Sequence, residues 1–157
     1  MTPRSKTALY PGSFRPFTVG HKSIADRTLA ICDRLVIAVG YNPDKESGDT
    51  TRIVAGIKRI FADDPRVEVA SYAGLTTEFA RLCGADFMVR GVRSVTDYEY
   101  ERNLAEVNLR ISGIETLLMP ALPELAFVSS SMVRELASHG YDTSEFLPPE
   151  KTGPDNV

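Results

Sequence analysis

Soft metal ligands are scarce in this chain: its 157 residues include two cysteines and two histidines. Cys32 and Cys83 lie far apart, and no group of Cys, His and carboxylate has zinc spacing. Each cysteine sits in an apolar helical context, which suits a reduced, packed thiol and disfavours a disulfide or a nucleophile. Long apolar runs are also missing. The segment MTPRSKTALYPG has no signal-peptide core, and Leu35-Val36-Ile37-Ala38-Val39 is too short to span a bilayer. A soluble, cytoplasmic protein with no membrane partner is therefore expected. Nor is there an excess of positive charge: 18 basic residues against 21 acidic ones give −3, which argues against broad nucleic-acid binding. A small anionic substrate stays open, because a few converging cations create a positive pocket locally. The phosphate loop GxxxxGK[ST], the dinucleotide fingerprint GxGxxG and the nucleophile elbow are all absent.

What is present is an ordinary globular composition, 43% apolar and 25% charged, which excludes wholesale disorder. The length suits one domain, expected over residues 1–149, with 150–157 as a disordered tail. Short β-branched runs alternate with longer amphipathic ones. Strands are expected at Thr7–Tyr10, Leu35–Val39, Val67–Ala70, Phe87–Val89 and Thr116–Met119. Helices are expected over His21–Cys32, Thr51–Ala62, Asp97–Ser112 and Met132–Ser138. In the third of these, Tyr100, Leu104, Val107 and Ile111 fall at offsets of 0, 4, 7 and 11, a helical stripe. The alternation predicts an α/β fold: a Rossmann-like, doubly wound parallel sheet of five strands with helices on both faces. In such sheets ligands bind beyond the carboxyl ends of the strands.

Unusual polar residues fall at those ends. Tyr10-Pro11-Gly12-Ser13-Phe14-Arg15-Pro16-Phe17-Thr18-Val19-Gly20-His21 leads from the first strand into the first helix. Gly12 lets the backbone approach a ligand, Ser13 adds a hydroxyl, and free amides at a helix start favour phosphate. His21 could then donate a ring hydrogen to a phosphoryl oxygen as charge builds. A Pro/Gly turn whose histidine only caps a helix accounts for the same residues. Arg90-Gly91-Val92-Arg93 follows the fourth strand and suits bidentate phosphate recognition, or else a solvated basic turn. Glu101 could accept hydrogen bonds from a base or ribose, whereas acids in a first helical turn also complement the dipole. Ser129-Ser130-Ser131 offers hydroxyls and open helix-terminal amides. Lys45 sits in a polar loop, and His139 reads as structural. Donors and cations without a covalent nucleophile suit phosphoryl or nucleotidyl transfer.

Taken in order, Tyr-Pro-Gly-Ser-Phe…Pro-Phe-Thr-x-Gly-His, Arg-Gly-x-Arg, Asp-Tyr-Glu-Tyr-Glu and Ser-Ser-Ser-x-Val-Arg resemble bacterial phosphopantetheine adenylyltransferase, from about Ala8 to Pro148. That family sits in the T/HxGH nucleotidyltransferase superfamily. The resemblance implies transfer of AMP from ATP to 4′-phosphopantetheine, giving dephospho-coenzyme A and pyrophosphate with Mg²⁺, in a homohexamer. It implies no protein metal ligand that stands out. It places Ser13 against both substrates and assigns His21 to ATP and transition-state stabilisation. Lys45, Thr76 and Arg90 would hold phosphopantetheine, Lys45 and Arg90 near its phosphate. ATP would be lined by Ser13, Phe14, Gly91, Val92, Arg93 and Glu101, and by the run Leu125, Ala126, Phe127, Val128, Ser129, Ser130 and Ser131. Three departures stand out: Arg15 occupies a family aspartate position, Thr50-Thr51 replace an acidic pair, and the usual C-terminal helix is missing. Arg15 either strengthens phosphate binding or disturbs the loop. A sister nucleotidyltransferase with another phosphorylated acceptor, and a non-catalytic nucleotide-binding subunit, are the rival readings.

Overall fold

The computed structural model describes residues 2–45 and 48–151. Five strands form one parallel sheet: β1 (Thr7–Gly12), β2 (Arg34–Gly40), β3 (Val67–Tyr72), β4 (Phe87–Val92) and β5 (Glu115–Pro120). Their order is β3-β2-β1-β4-β5, so the chain reverses its direction of growth between β1 and β4. Five helices connect and follow them: α1 (Val19–Thr28), α2 (Gly48–Ile60), α3 (Thr76–Leu82), α4 (Val95–Ser112) and α5 (Ser130–Ser138). The expected fold class is the one observed, and every expected strand is present. Among the described residues no helix is long and apolar enough to cross a membrane.

Because β1 and β2 are covered on both faces, they read as near-continuous apolar runs. Alternate residues sort onto the two faces. Ala8, Tyr10, Ile37 and Val39 join one core with Ile24 and Ala25 of α1 and Ile57 and Ile60 of α2. Leu9, Val36, Ala38 and Met88 join the other with Ala80 of α3. Register is fixed by this parity, since a slip of one residue would exchange the two faces.

Element ends differ from expectation for local reasons. Helix α1 stops at Thr28 rather than Cys32, with Leu29 as its C-cap. Helix α5 begins at Ser130, because the Ser129 hydroxyl accepts the Met132 N–H at 3.2 Å. Helix α4 ends on Gly113 at φ 74°, a left-handed conformation that costs glycine little. Helix α3 is a correction to the sequence reading, which put Cys83 in a helical context but gave no helix bounds there. Its seven residues bury only Thr77 and Ala80, too little apolar periodicity to register. The stripe on α4 is helical but faces outward: Tyr100 is 67% exposed, Val107 53% and Ile111 50%.

Of the expected tail, Glu150 and Lys151 lie against α2. Arg59 donates to Glu150 at 2.7 Å, and the Lys151 ammonium meets Asp63 at 2.5 Å. The remainder of that tail, 152–157, is outside the described residues.

Strands β1 and β4 are paired only over Ala8–Phe87 and Leu9–Met88. Beyond that point they part, whereas β1 and β2 stay paired through Gly12. The opening at the carboxyl edge is where the topology reverses and where the polar motifs converge.

Candidate active site

The loop after β1 is shaped by Phe14. It is buried, adopts φ 49°, and packs edge-on against Tyr10 at 5.2 Å and His21 at 5.0 Å. A left-handed phenylalanine costs on the order of 1–3 kcal/mol, and this aromatic anchoring offsets it. Gly12 is required beneath it, since a Cβ there would stand 2.8 Å from the Phe14 ring. The glycine therefore makes room for a neighbouring side chain within the loop.

Thr18 and His21 form a reciprocal cap at the start of α1. The His21 N–H points to the Thr18 hydroxyl at 3.4 Å, and the Thr18 N–H donates to His21 Nδ1 at 2.9 Å. An Nδ1 that accepts leaves the proton of a neutral ring on Nε2. Enclosure first, then the charges of Arg90 and Arg93, lowers the ring from 6.5 to about 4. His21 is thus a neutral N–H donor near pH 7, stacked on Phe17 at 5.5 Å.

Helix α5 brings a second N-terminus to the same place. Ser130 Oγ donates to the Pro16 carbonyl at 2.8 Å, and Arg134 donates to the Arg15 carbonyl. The first loop and the serine run are consequently one unit. The backbone carbonyl of Arg15 is held there, while its guanidinium points to the start of α2, 3.6 Å from Asp49 and 3.4 Å from Thr50 Oγ1.

Arg90 bridges the gap between β1 and β4. Its Nη1 donates to the Pro11 carbonyl at 2.5 Å, and Nε and Nη2 reach Glu101 at 2.9 and 2.7 Å. Burial opposes its charge, but the bonds and charge of Glu101 more than offset this and hold Arg90 above its ordinary value. Arg93 pairs with Asp97 at 3.3 Å.

Three cavities open at this edge. The first, about 360 Å³, takes in Ser13, Phe14, His21, Arg90, Gly91, Val92, Arg93 and Glu101, with Leu125, Val128 and Ser129 to Ser131. Ala126 and Phe127 are not on its wall; Phe127 is exposed and packs on Phe146. The second, about 350 Å³, holds Thr76, Arg90 and Glu101 beside apolar Leu75, Met88 and Leu104. The third, about 520 Å³, holds Lys45, Arg15, Tyr41 and Asn42. Ser13 lines all three, and Gly12, Arg90 and Glu101 are common to the first two.

Sequence reasoning missed Tyr72, Asn108 and Thr116, which line the second cavity. A signal for one of them existed: Glu101, Leu104, Ala105 and Asn108 are spaced i, i+3, i+4, i+7, one face of a helix. Thr116 lies inside a strand, and only its buried, unpartnered hydroxyl distinguishes it.

An adenylate-sized cleft with two helix N-termini, two arginines and a neutral histidine donor defines a nucleotidyltransferase. In keeping with that class, the family described as cytidylyltransferase-like matches residues 9–136. The chain is 46% identical to a phosphopantetheine adenylyltransferase of Phocaeicola vulgatus, over 91% of this chain and 95% of that one. It is equally 46% identical to that of Porphyromonas gingivalis (92% and 95%), and 45% identical to that of Leuconostoc citreum (90% and 90%). The fold is shared with a bifunctional NMN adenylyltransferase/ADP ribose pyrophosphatase of Francisella tularensis, at TM-score 0.68 and 11% identity, over 93% of this chain and 46% of that one. The chain belongs to the phosphopantetheine adenylyltransferases, within the cytidylyltransferase-like family.

Proposed function

We infer that this chain transfers AMP from ATP to the phosphate of 4′-phosphopantetheine, releasing pyrophosphate and forming dephospho-coenzyme A. The observation that carries this reading is the meeting of two unlike cavities at Gly12, Ser13, Arg90 and Glu101. One is polar and ends on two helix N-termini, as a triphosphate requires. The other has apolar walls with a few polar groups, as a flexible amide-bearing arm requires.

The acceptor phosphate is already ionised, so its oxygen attacks the α-phosphorus without a general base. A bond forms between that oxygen and the α-phosphorus, the bond to the β-phosphate oxygen breaks, and pyrophosphate leaves. His21 Nε2–H donates to the α-phosphoryl oxygens as their charge rises. The amides of α1 and α5, with Ser129 to Ser131 and Arg93, receive the nucleotide. Lys45 and Arg90 hold the acceptor phosphate in line, and Ser13 touches both substrates. Thr76 and the walls of the second cavity hold the arm.

For Mg²⁺ the residues do not form a cage. Among the described residues no group of three or more His, Cys, Asp or Glu gathers. The acids of the cleft, Asp97 and Glu101, are each bonded to an arginine. We propose that the ion enters on the nucleotide phosphates. We also propose a homohexamer, supported by the outward apolar row on α4 and by exposed Leu117 of β5.

The test is pyrophosphate release from ATP against a panel of phosphorylated acceptors. Turnover with phosphopantetheine well above that with nicotinamide mononucleotide or glycerol phosphate is expected. ATP binding without release from phosphopantetheine would overturn the reading.

A further inference from the structure

Glu101 is the one buried residue of α4, at 6% exposure, whereas Asp97 sits partly exposed at the cleft and Glu99 and Glu106 face outward. An unpaired carboxylate there would cost several kcal/mol, so its partner decides its role. Both oxygens are occupied by Arg90, through Nε and Nη2. Arg90 has five N–H donors, and three of them are committed, two to Glu101 and one to Pro11. The donors left over lie on Nη1 and Nη2, the terminal edge of the guanidinium. Arg90 retains 29% side-chain exposure, so that edge can be reached from the cavities it lines.

We propose that Glu101 is a positioning residue: it takes up the Nε edge of Arg90 and turns the terminal edge to the junction where the two substrates meet. This rests on the adenylyl-transfer reading above. A carboxylate beside two phosphate groups would repel them if it were free. Bonded to Arg90, it instead converts a mobile cation into a directed pair of donors. Without that clamp, Arg90 spans the parting of β1 and β4 on one bond to Pro11 alone.

The test compares Glu101→Gln, which keeps the shape, with Glu101→Asp, which shortens it, and with Arg90→Lys. A loss of about 100-fold in kcat is expected in Glu101→Gln, the scale of a misplaced catalytic contact. The KM for phosphopantetheine should rise in the same ratio as in Arg90→Lys, with the KM for ATP nearly constant. Glu101→Asp should not restore activity, and combining Glu101→Gln with Arg90→Lys should cost no more than the worse single change. A rise confined to the KM for ATP would make Glu101 a nucleotide ligand and overturn the proposal. Unchanged kinetics with a lowered melting temperature would make it structural and overturn it equally. Should Glu101→Gln not fold, Glu101→Asp is read by the same criteria. Should the wild type use another acceptor, the transfer reading fails, while the Glu101 comparison is read with that acceptor.

Discussion

The first and second cavities share a wall but are built by different means. The first gathers the starts of α1 and α5, Gly91 at the end of β4 and the capped His21, with arginines around them. The second is walled largely by side chains of α3, α4 and β5, with apolar Leu75, Met88 and Leu104 beside Thr76, Asn108 and Thr116, and with Arg90 and Glu101 where it meets the first. Backbone amides recognise charge and leave glycine, serine and histidine as marks in the sequence. Side-chain walls recognise shape, and their residues resemble any packed surface until the fold brings them together. On the proposed reaction, catalytic charge is concentrated on one side of Ser13 and acceptor selection on the other.

The difference is broken most severely at His21. His21→Ala should fold normally and lose about 1,000-fold in kcat with little change in ATP affinity, the scale of one lost oxyanion donor. Single-turnover kinetics with separate ATP titration checks this, and equal turnover would remove His21 from the mechanism. Lys45→Ala should raise the KM for phosphopantetheine about 30-fold and spare that for ATP. Arg15 shares the third cavity with Lys45, so Arg15→Asp should raise the same KM about tenfold. A gain in rate would instead mean that Arg15 impairs the enzyme.

Thr116→Val sharpens the comparison, because its two effects have opposite sign. The free chain should gain about 1 kcal/mol, since a buried hydroxyl without a partner is removed. The KM for the acceptor should meanwhile rise severalfold, as the arm loses a hydrogen bond. Thermal melts and acceptor titrations measure the two separately.

A further effect is on stability against pH. An unfolded His21 protonates near 6.5 and the folded ring near 4. The stability from keeping it neutral is complete above 6.5 and is lost as pH falls to about 4. Melting temperatures across that window should fall less steeply in His21→Gln. In kcat, His21 itself should give no acid limb near 6.5.

How far the sequence carried the reading depends on the kind of residue. Strands β1 and β2 were plain because both faces are covered and, after Thr7 and Arg34, their residues carry no polar side chain but the tyrosine hydroxyl of Tyr10. Helix α3 was hidden, since seven residues with two buried positions carry almost no period. In α4 the outward row Tyr100, Val107 and Ile111 drew attention, while Glu101 and Asn108 on an adjacent face line the second cavity. Hydrophobic spacing shows that a face exists, not which face meets the sheet.

From sequence alone followed the parallel α/β architecture, the run from Gly12 to His21 and the motifs at the strand ends, because those depend on local periodicity and on backbone conformations few residues adopt. The clamp of Glu101 on Arg90 and the turn of Arg15 toward α2 were decided only by the tertiary structure. Each depends on which distant atoms the fold brings together: Pro11 with Arg90, Arg90 with Glu101, Arg15 with Asp49. Pairing across such sequence separations leaves no trace in local order.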